Sequence, residues 1–116
     1  MKKKSKHAPI KRKKEIRFHK IETINGKGVI TNIFHPAYIF VEKGNVYIYV
    51  TITHSKEIDG HIVIKLRKNP NPKDNKDAYY VAEIKTDTKD TFGKRRNWQL
   101  DPLDDTEIRL LFDKKR

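Results

Sequence analysis

Residues 36–53 read PAYIFVEKGNVYIYVTIT. In the second half, Val46, Ile48, Val50 and Ile52 alternate with Tyr47, Tyr49, Thr51 and Thr53. That period of two is the mark of a β-strand. PAYIFV precedes it across Glu42–Asn45, a short loop containing Gly44, so the two runs are expected to pair as a hairpin. Working outward, HIVIKL at 61–66 follows the Asp59-Gly60 turn and reads as a third strand. AYYVAEIKT (78–86) reads as either a strand or a short helix, and leans to strand through Tyr80, Val81 and Ile84. On the N-terminal side, the Ile-, Thr- and Phe-rich text from His19 to Phe40 is broken at Asn25-Gly26 and Gly28. It reads as short extended pieces joined by a turn. Pro36 fits the first residue of a strand, where a missing N–H costs least. Residues 68–77, KNPNPKDNKD, form a surface loop.

The C-terminus predicts the one helix. Asp101 can cap it, Pro102 suits its first position, and Asp104, Asp105 and Glu107 sit near its positive end. Lys114, Lys115 and Arg116 suit the negative end. Leu103, Ile108, Leu110, Leu111 and Phe112 are expected to face the sheet. The chain should therefore be mainly β, with four or five short strands and a closing helix. A small SH3-like barrel spanning residues 18–116 as a single domain is the architecture this suggests. A doubly wound α/β unit is excluded, because helices do not alternate with strands.

The 116 residues carry a net charge of +12, unevenly spread. Residues 1–20 hold ten Lys or Arg against the single Glu15. Residues 1–17 are expected to be a mobile basic arm, since such a segment repels itself and has little to bury. A polyanion would gain affinity from counterion release on such an arm, which points to nucleic acid, RNA or the ribosome. No apolar run approaches the length of a membrane span, and no apolar segment follows the basic start as in a secretory signal. No membrane partner is expected. There is no cysteine, hence no disulfide framework or thiolate zinc site, which fits the cytoplasm. Neither a glycine-rich phosphate loop nor a G-x-S-x-G turn is present. The five histidines, at 7, 19, 35, 54 and 61, have no short metal-ligand spacing, so no metal or other cofactor is expected.

Two groups can carry chemistry. Thr53, His54, Ser55 and Lys56 follow one another where the best strand leaves the sheet. Hydroxyls, an imidazole and an ammonium there could bind a phosphate and exchange a proton with it. The same text also fits a polar turn, with Ser55 bonded to backbone and His54 in solvent. The second group is TFGKRRNWQ (91–99), where Lys94, Arg95 and Arg96 stand beside Phe92 and Trp98. Cations next to flat apolar rings suit single-stranded nucleic acid, although Trp98 itself reads as a core anchor.

The order of these pieces resembles the MazF/PemK-type toxins, SH3-like barrel endoribonucleases of bacterial toxin–antitoxin systems. The resembling motifs are His35-Pro36-Ala37-Tyr38-Ile39-Phe40, Thr51-Ile52-Thr53-His54-Ser55 and Glu83-Ile84-Lys85-Thr86-Asp87, followed by the helix from Asp101 to Phe112. Together they span about residues 32–112. The resemblance implies metal-independent cleavage of RNA by the ribose 2′-hydroxyl, leaving a 2′,3′-cyclic phosphate. It also implies a cognate antitoxin and a homodimer. Thr53 falls where the family places its strand-end catalytic hydroxyl. Where the family has an arginine before the proline, this chain has His35, which titrates and lacks the guanidinium fork. The catalytic reading therefore gives proton transfer to His35 with His54, orientation to Thr53 and Ser55, and phosphate binding to Lys56, Lys85 and Arg95. The other reading is a basic nucleic-acid-binding module without catalysis, ribosome-associated or an accessory of a plasmid or phage. Fold analogy does not choose between them.

Overall fold

The computed structural model describes residues 9–114. Seven strands and one helix follow in chain order: β1 (Ile10–Ile24), β2 (Ile30–Lys43), β3 (Val46–Thr53), β4 (Val63–Lys65), β5 (Tyr79–Val81), β6 (Lys85–Thr88), β7 (Phe92–Arg96) and α1 (Pro102–Lys114). The strands form an antiparallel sheet ordered β4-β5-β3-β2-β1-β7, with β6 also paired to β3.

The expected hairpin is there. β2 and β3 meet through a two-residue turn at Gly44-Asn45, with Lys43 opposite Val46. Gly44 has φ +58°, the left-handed value that the first position of a type II′ turn requires. A bulge between Ile39 and Val41 bends the pair. The alternation of residues 36–53 then fills two interiors. Tyr38, Phe40, Val50 and Ile52 pack with Ile16, Leu66, Tyr80 and Ile108 between sheet and helix. Ala37, Ile39, Tyr47 and Tyr49 pack with Phe92 on the opposite face. Both sides of this hairpin are buried, so both sets of its side chains are large and apolar. Each full burial of this kind stabilises the fold by about 1.5–3 kcal/mol.

The segment expected as a mobile arm behaves differently. Residues 10–17 are the first half of β1, with Ile16 fully buried and Glu15 nearly so. The run is tied down toward its end, where Ile16 joins the core and Lys13 and Arg17 find carboxylates. Lys13 lies 3.1 Å from Glu15 and 3.3 Å from Glu42, and Arg17 lies 3.0 Å from Glu15. Residues 1–8, the rest of that arm, lie outside the described residues, as do Lys115 and Arg116.

The short pieces expected between His19 and Phe40 are instead one long ribbon. β1 and β2 pair without a break from Glu15–Ile39 to Ile24–Ile30. Its tip is held by Asn25, whose Oδ1 accepts the N–H groups of Lys27 (2.8 Å) and Val29 (3.0 Å). Beyond the body the ribbon pairs with no third strand among the described residues: β7 stops at His19 and β3 starts at Ala37. Pro36 consequently sits inside β2, not at its start. It is placed where β2 gives up its pairing with β3, one of the positions in a sheet that tolerate proline.

The helix also docks differently from expectation. Leu103 and Leu110, seven residues apart and so on one face, are 59% and 54% exposed, while Asp104 is fully buried. Asp104 accepts the backbone N–H of Arg67 (3.0 Å) and its guanidinium (2.8 Å). Asp105 accepts the Tyr38 hydroxyl at 2.5 Å and Arg109 Nε at 2.9 Å. Arg109 also donates to the carbonyls of Phe40 and Lys13. Ile108, Leu111 and Phe112 supply the apolar part of the contact. Asp101 caps the helix as expected, its Oδ1 accepting the Leu103 N–H at 2.8 Å.

Expected as one run, residues 78–86 are split between β5 and the start of β6. β6, the single turn Lys89–Thr91 and β7 then form one continuous run that pairs with β3 at its first end and β1 at its second. The sheet is not closed. No helix among the described residues is long and apolar enough to cross a membrane.

Candidate nucleic-acid cleft

At the open end of the β2–β3 pairing is a cleft of about 410 Å³. His35 and Pro36 line it from β2, Thr53, His54 and Ser55 from the end of β3, and Phe18 from β1. Phe34 and Trp98 add two further aromatic walls. The loop after β4 closes the far side through Asn69, Asn71 and Asp74. The four residues singled out for chemistry, His35, Thr53, His54 and Ser55, therefore share one concavity. His35 is half-buried in mid-strand, directly opposite His19 of β1.

His54 Nε2 lies 2.6 Å from Asp74 Oδ2. The Asp74 carboxyl sits below its ordinary range, first because it accepts the Lys76 backbone N–H and next because of His54. An ionised carboxylate only accepts hydrogen bonds, so Nε2 carries a proton, and Nδ1 is the nitrogen that accepts whenever the ring holds a single proton. Thr53 Oγ1 accepts the Ser55 N–H at 3.1 Å, which fixes the turn and leaves the Thr53 hydroxyl proton available as a donor. The turn is polar as one reading expected, but Thr53 rather than Ser55 supplies the side chain that meets the backbone, and His54, though exposed, is paired with Asp74.

The cations divide. Lys85 lines a smaller hollow, about 190 Å³, that shares His35 and Thr53 with the cleft and adds Thr51 and His61. Lys94, Arg95 and Arg96 stand on the edge strand β7 and line a third hollow together with Lys73 and Trp98. Trp98, a partial member of the main core, thereby borders both the cleft and the basic hollow. The Arg96 guanidinium lies 5.1 Å from the Trp98 ring centre and 5.4 Å from that of Phe18, holding an exposed cation at the rim. Arg95 reaches Glu15 only at 4.0 Å. Lys56 is exposed and lies outside the cleft.

Behind His35 is a buried polar group that the sequence did not single out. His19 Nδ1 lies 3.3 Å from the Tyr49 hydroxyl, and its ring stacks on Phe92 at 4.5 Å. Asp87 Oδ2 is 3.0 Å from His19 Nε2, at an angle that leaves the nitrogen without a hydrogen bond. Burial pushes the His19 pKa down, outweighing the opposing pull of Asp87. Burial, and then Asp87, push the Tyr49 hydroxyl up. Asp74 was also missed: it is twenty positions from His54 in a loop whose composition announces only a turn. Phe34, in the ribbon, carries no local signal of its role.

Comparison with protein-family models, with curated proteins and with solved structures finds no match to this chain.

Proposed function

We propose that the protein is a metal-independent endoribonuclease of the MazF/PemK-like kind. The observation that carries this reading is that His54, held by Asp74, and His35 line one cleft together with Thr53 and Ser55. Two imidazoles in one site can serve as the base and acid that ribose-assisted cleavage needs. His54 Nδ1 takes the proton of a 2′-hydroxyl as its oxygen bonds to phosphorus. The P–O5′ bond breaks, and protonated His35 gives its proton to the departing oxygen. The products are a 2′,3′-cyclic phosphate and a 5′-hydroxyl, with no proton or electron unaccounted for. The Thr53 and Ser55 hydroxyls offer donors to the phosphate oxygens as charge builds on them, and Lys85 adds a cation beside His35. The aromatic walls Phe34 and Trp98 suit bases flanking the cleaved bond, and Lys94, Arg95 and Arg96 suit the phosphates leading to it. The continuous run from β6 to β7, touching both β3 and β1, supports an SH3-like curl for the whole domain. A cognate antitoxin follows from the same resemblance.

The test is incubation with mixed-sequence RNA in EDTA, with product ends mapped for the wild type, His35→Ala and His54→Ala. Cyclic-phosphate ends from the wild type alone are the expected result. Cleavage by His54→Ala at the wild-type rate would remove this mechanism.

A second reading, a nucleic-acid-binding module without catalysis, draws on the position of Lys94, Arg95 and Arg96. They line a hollow of their own on an edge strand, apart from the cleft. RNA that is retarded but uncut by the wild type is the result this reading expects.

A further inference from the structure

Both groups assigned to proton transfer in the cleft are imidazoles, and that has a chemical consequence. After one cleavage His54 holds two ring protons and His35 holds one. A lysine or arginine in the place of His35 would stay protonated near neutral pH and could not act as a base in its turn. Neutral His35 can, because an imidazole with one proton has a nitrogen free to accept another. His54 is equally suited to the acid role it acquires. Its Nε2 is held by the Asp74 carboxylate at 2.6 Å, so the imidazolium is stabilised and the Nδ1 proton is the one left to give. Cleavage therefore leaves the cleft with acid and base exchanged, facing a product that still contains a strained phosphodiester ring.

The surroundings suit a second reaction. The cleft is open enough that the His54 side chain is 61% exposed, so water reaches the place vacated by the 5′-hydroxyl. Phe34 and Trp98 offer faces on which the terminal base stays stacked. Behind His35, burial pushes its cross-strand partner His19 towards the neutral form despite Asp87. Lys85, and not a second imidazolium, is then the charge beside His35.

We propose that the same cleft hydrolyses the cyclic phosphate it makes, releasing RNA that ends in a 3′-phosphate. Water attacks phosphorus opposite O2′ and gives a proton to His35. The P–O2′ bond breaks, and His54 Nδ1 returns its proton to O2′. One water is consumed, the P–O3′ bond stays intact, and both histidines regain the protonation states from which cleavage began. This is the first step reversed with water in place of the 5′-hydroxyl, so it needs no further group. The inference rests on the nuclease reading and deepens it.

The test follows two substrates in EDTA by phosphorus NMR, an RNA oligomer and 2′,3′-cyclic uridine monophosphate. The full chain is compared with His35→Ala and His54→Ala, with circular dichroism to establish that each is folded. On the oligomer, cyclic ends should appear first and then give way to 3′-phosphates. The cyclic nucleotide should yield the 3′-monophosphate alone, because His54 delivers its proton to O2′, whereas hydrolysis in solution gives both isomers. Each variant should open the ring about a hundredfold more slowly or worse. Cyclic ends that accumulate and persist as they do in protein-free buffer would overturn this inference and leave the nuclease reading standing. A mixture of isomers, or ring opening by either variant at the wild-type rate, would overturn it too. An oligomer left uncut while the cyclic nucleotide is opened would bear out the second activity and overturn the first. Neither substrate changing would overturn both.

Discussion

His54 and Asp74, twenty residues apart, meet at 2.6 Å and tie the end of β3 to the loop after β4. The contact gives the cleft its second wall and gives His54 a fixed tautomer. Replacing Asp74 by Asn keeps the shape but allows the ring to turn over. RNA cleavage is expected to fall by about tenfold, against about a hundredfold or more for His54→Ala. RNA binding, measured by fluorescence anisotropy, should stay within about twofold for both. An equal loss of binding and cleavage would mean that His54 merely holds RNA.

The cations of β7 predict a salt effect. Changing Lys94, Arg95 and Arg96 together to Gln should weaken RNA binding. It should also flatten the plot of log affinity against log salt by about 2 units of slope, at about 0.7 for each phosphate contact on a single strand. An unchanged slope would place the RNA elsewhere.

In cells, induction of an active nuclease should arrest growth, and His35→Ala or Thr53→Ala should relieve the arrest. Colony counts after induction measure it. Arrest that persists undiminished in both variants would exclude the cleft as its cause.

Helix docking turns on Asp105, which accepts from Tyr38 and Arg109 at once. Asp105→Ala leaves a mostly buried guanidinium and a buried hydroxyl without their shared acceptor, and should cost about 3 kcal/mol in urea unfolding. Tyr38→Phe removes one hydrogen bond, leaves Asp105 with Arg109, and should cost only about 1 kcal/mol. Equal losses would contradict this account of the helix anchor.

Stability should fall with acid in two windows. The His19 pKa is lowered by burial, so the unfolded chain binds a proton that the folded chain refuses. Stability is then lost as pH drops below the ordinary histidine value of 6.5. His19→Gln should flatten that part of the curve. Glu42 is held down first by Lys89, at 2.7 Å, and then by Lys13. At Glu15 burial pushes upward, but Lys13 and Arg17 together outweigh it and the net direction is down. Both carboxylates stabilise the fold above the unfolded value near 4.5, and that contribution disappears as pH falls through their lower folded values. Buried Asp104 runs the other way: burial raises it, so its protonation favours the fold in acid. Chemical unfolding followed from pH 7 downward, in the wild type and His19→Gln, separates the two windows.

Local chemistry determined much of this protein. The alternation of residues 46–53 fixed β3, Gly44 fixed the turn before it, and Asp101-Pro102 fixed the start of the helix, because each of these depends on neighbours within a few residues. The strand-end cluster from Thr53 to Ser55 was legible for the same reason. Tertiary structure decided the rest. It turned the basic text of residues 10–17 into a strand, because carboxylates of β1 and β2 meet its cations and Ile16 reaches the core. It buried Asp104 and Asp105 and left Leu103 and Leu110 in solvent, because Arg67, Tyr38 and Arg109 arrive from other elements. It put Pro36 inside β2, because β3 turns away there. It brought Asp74 to His54 and His19 behind His35, across separations of twenty and sixteen residues. No periodicity records such contacts, since they arise only when the strands are paired in register and the loop folds back over them.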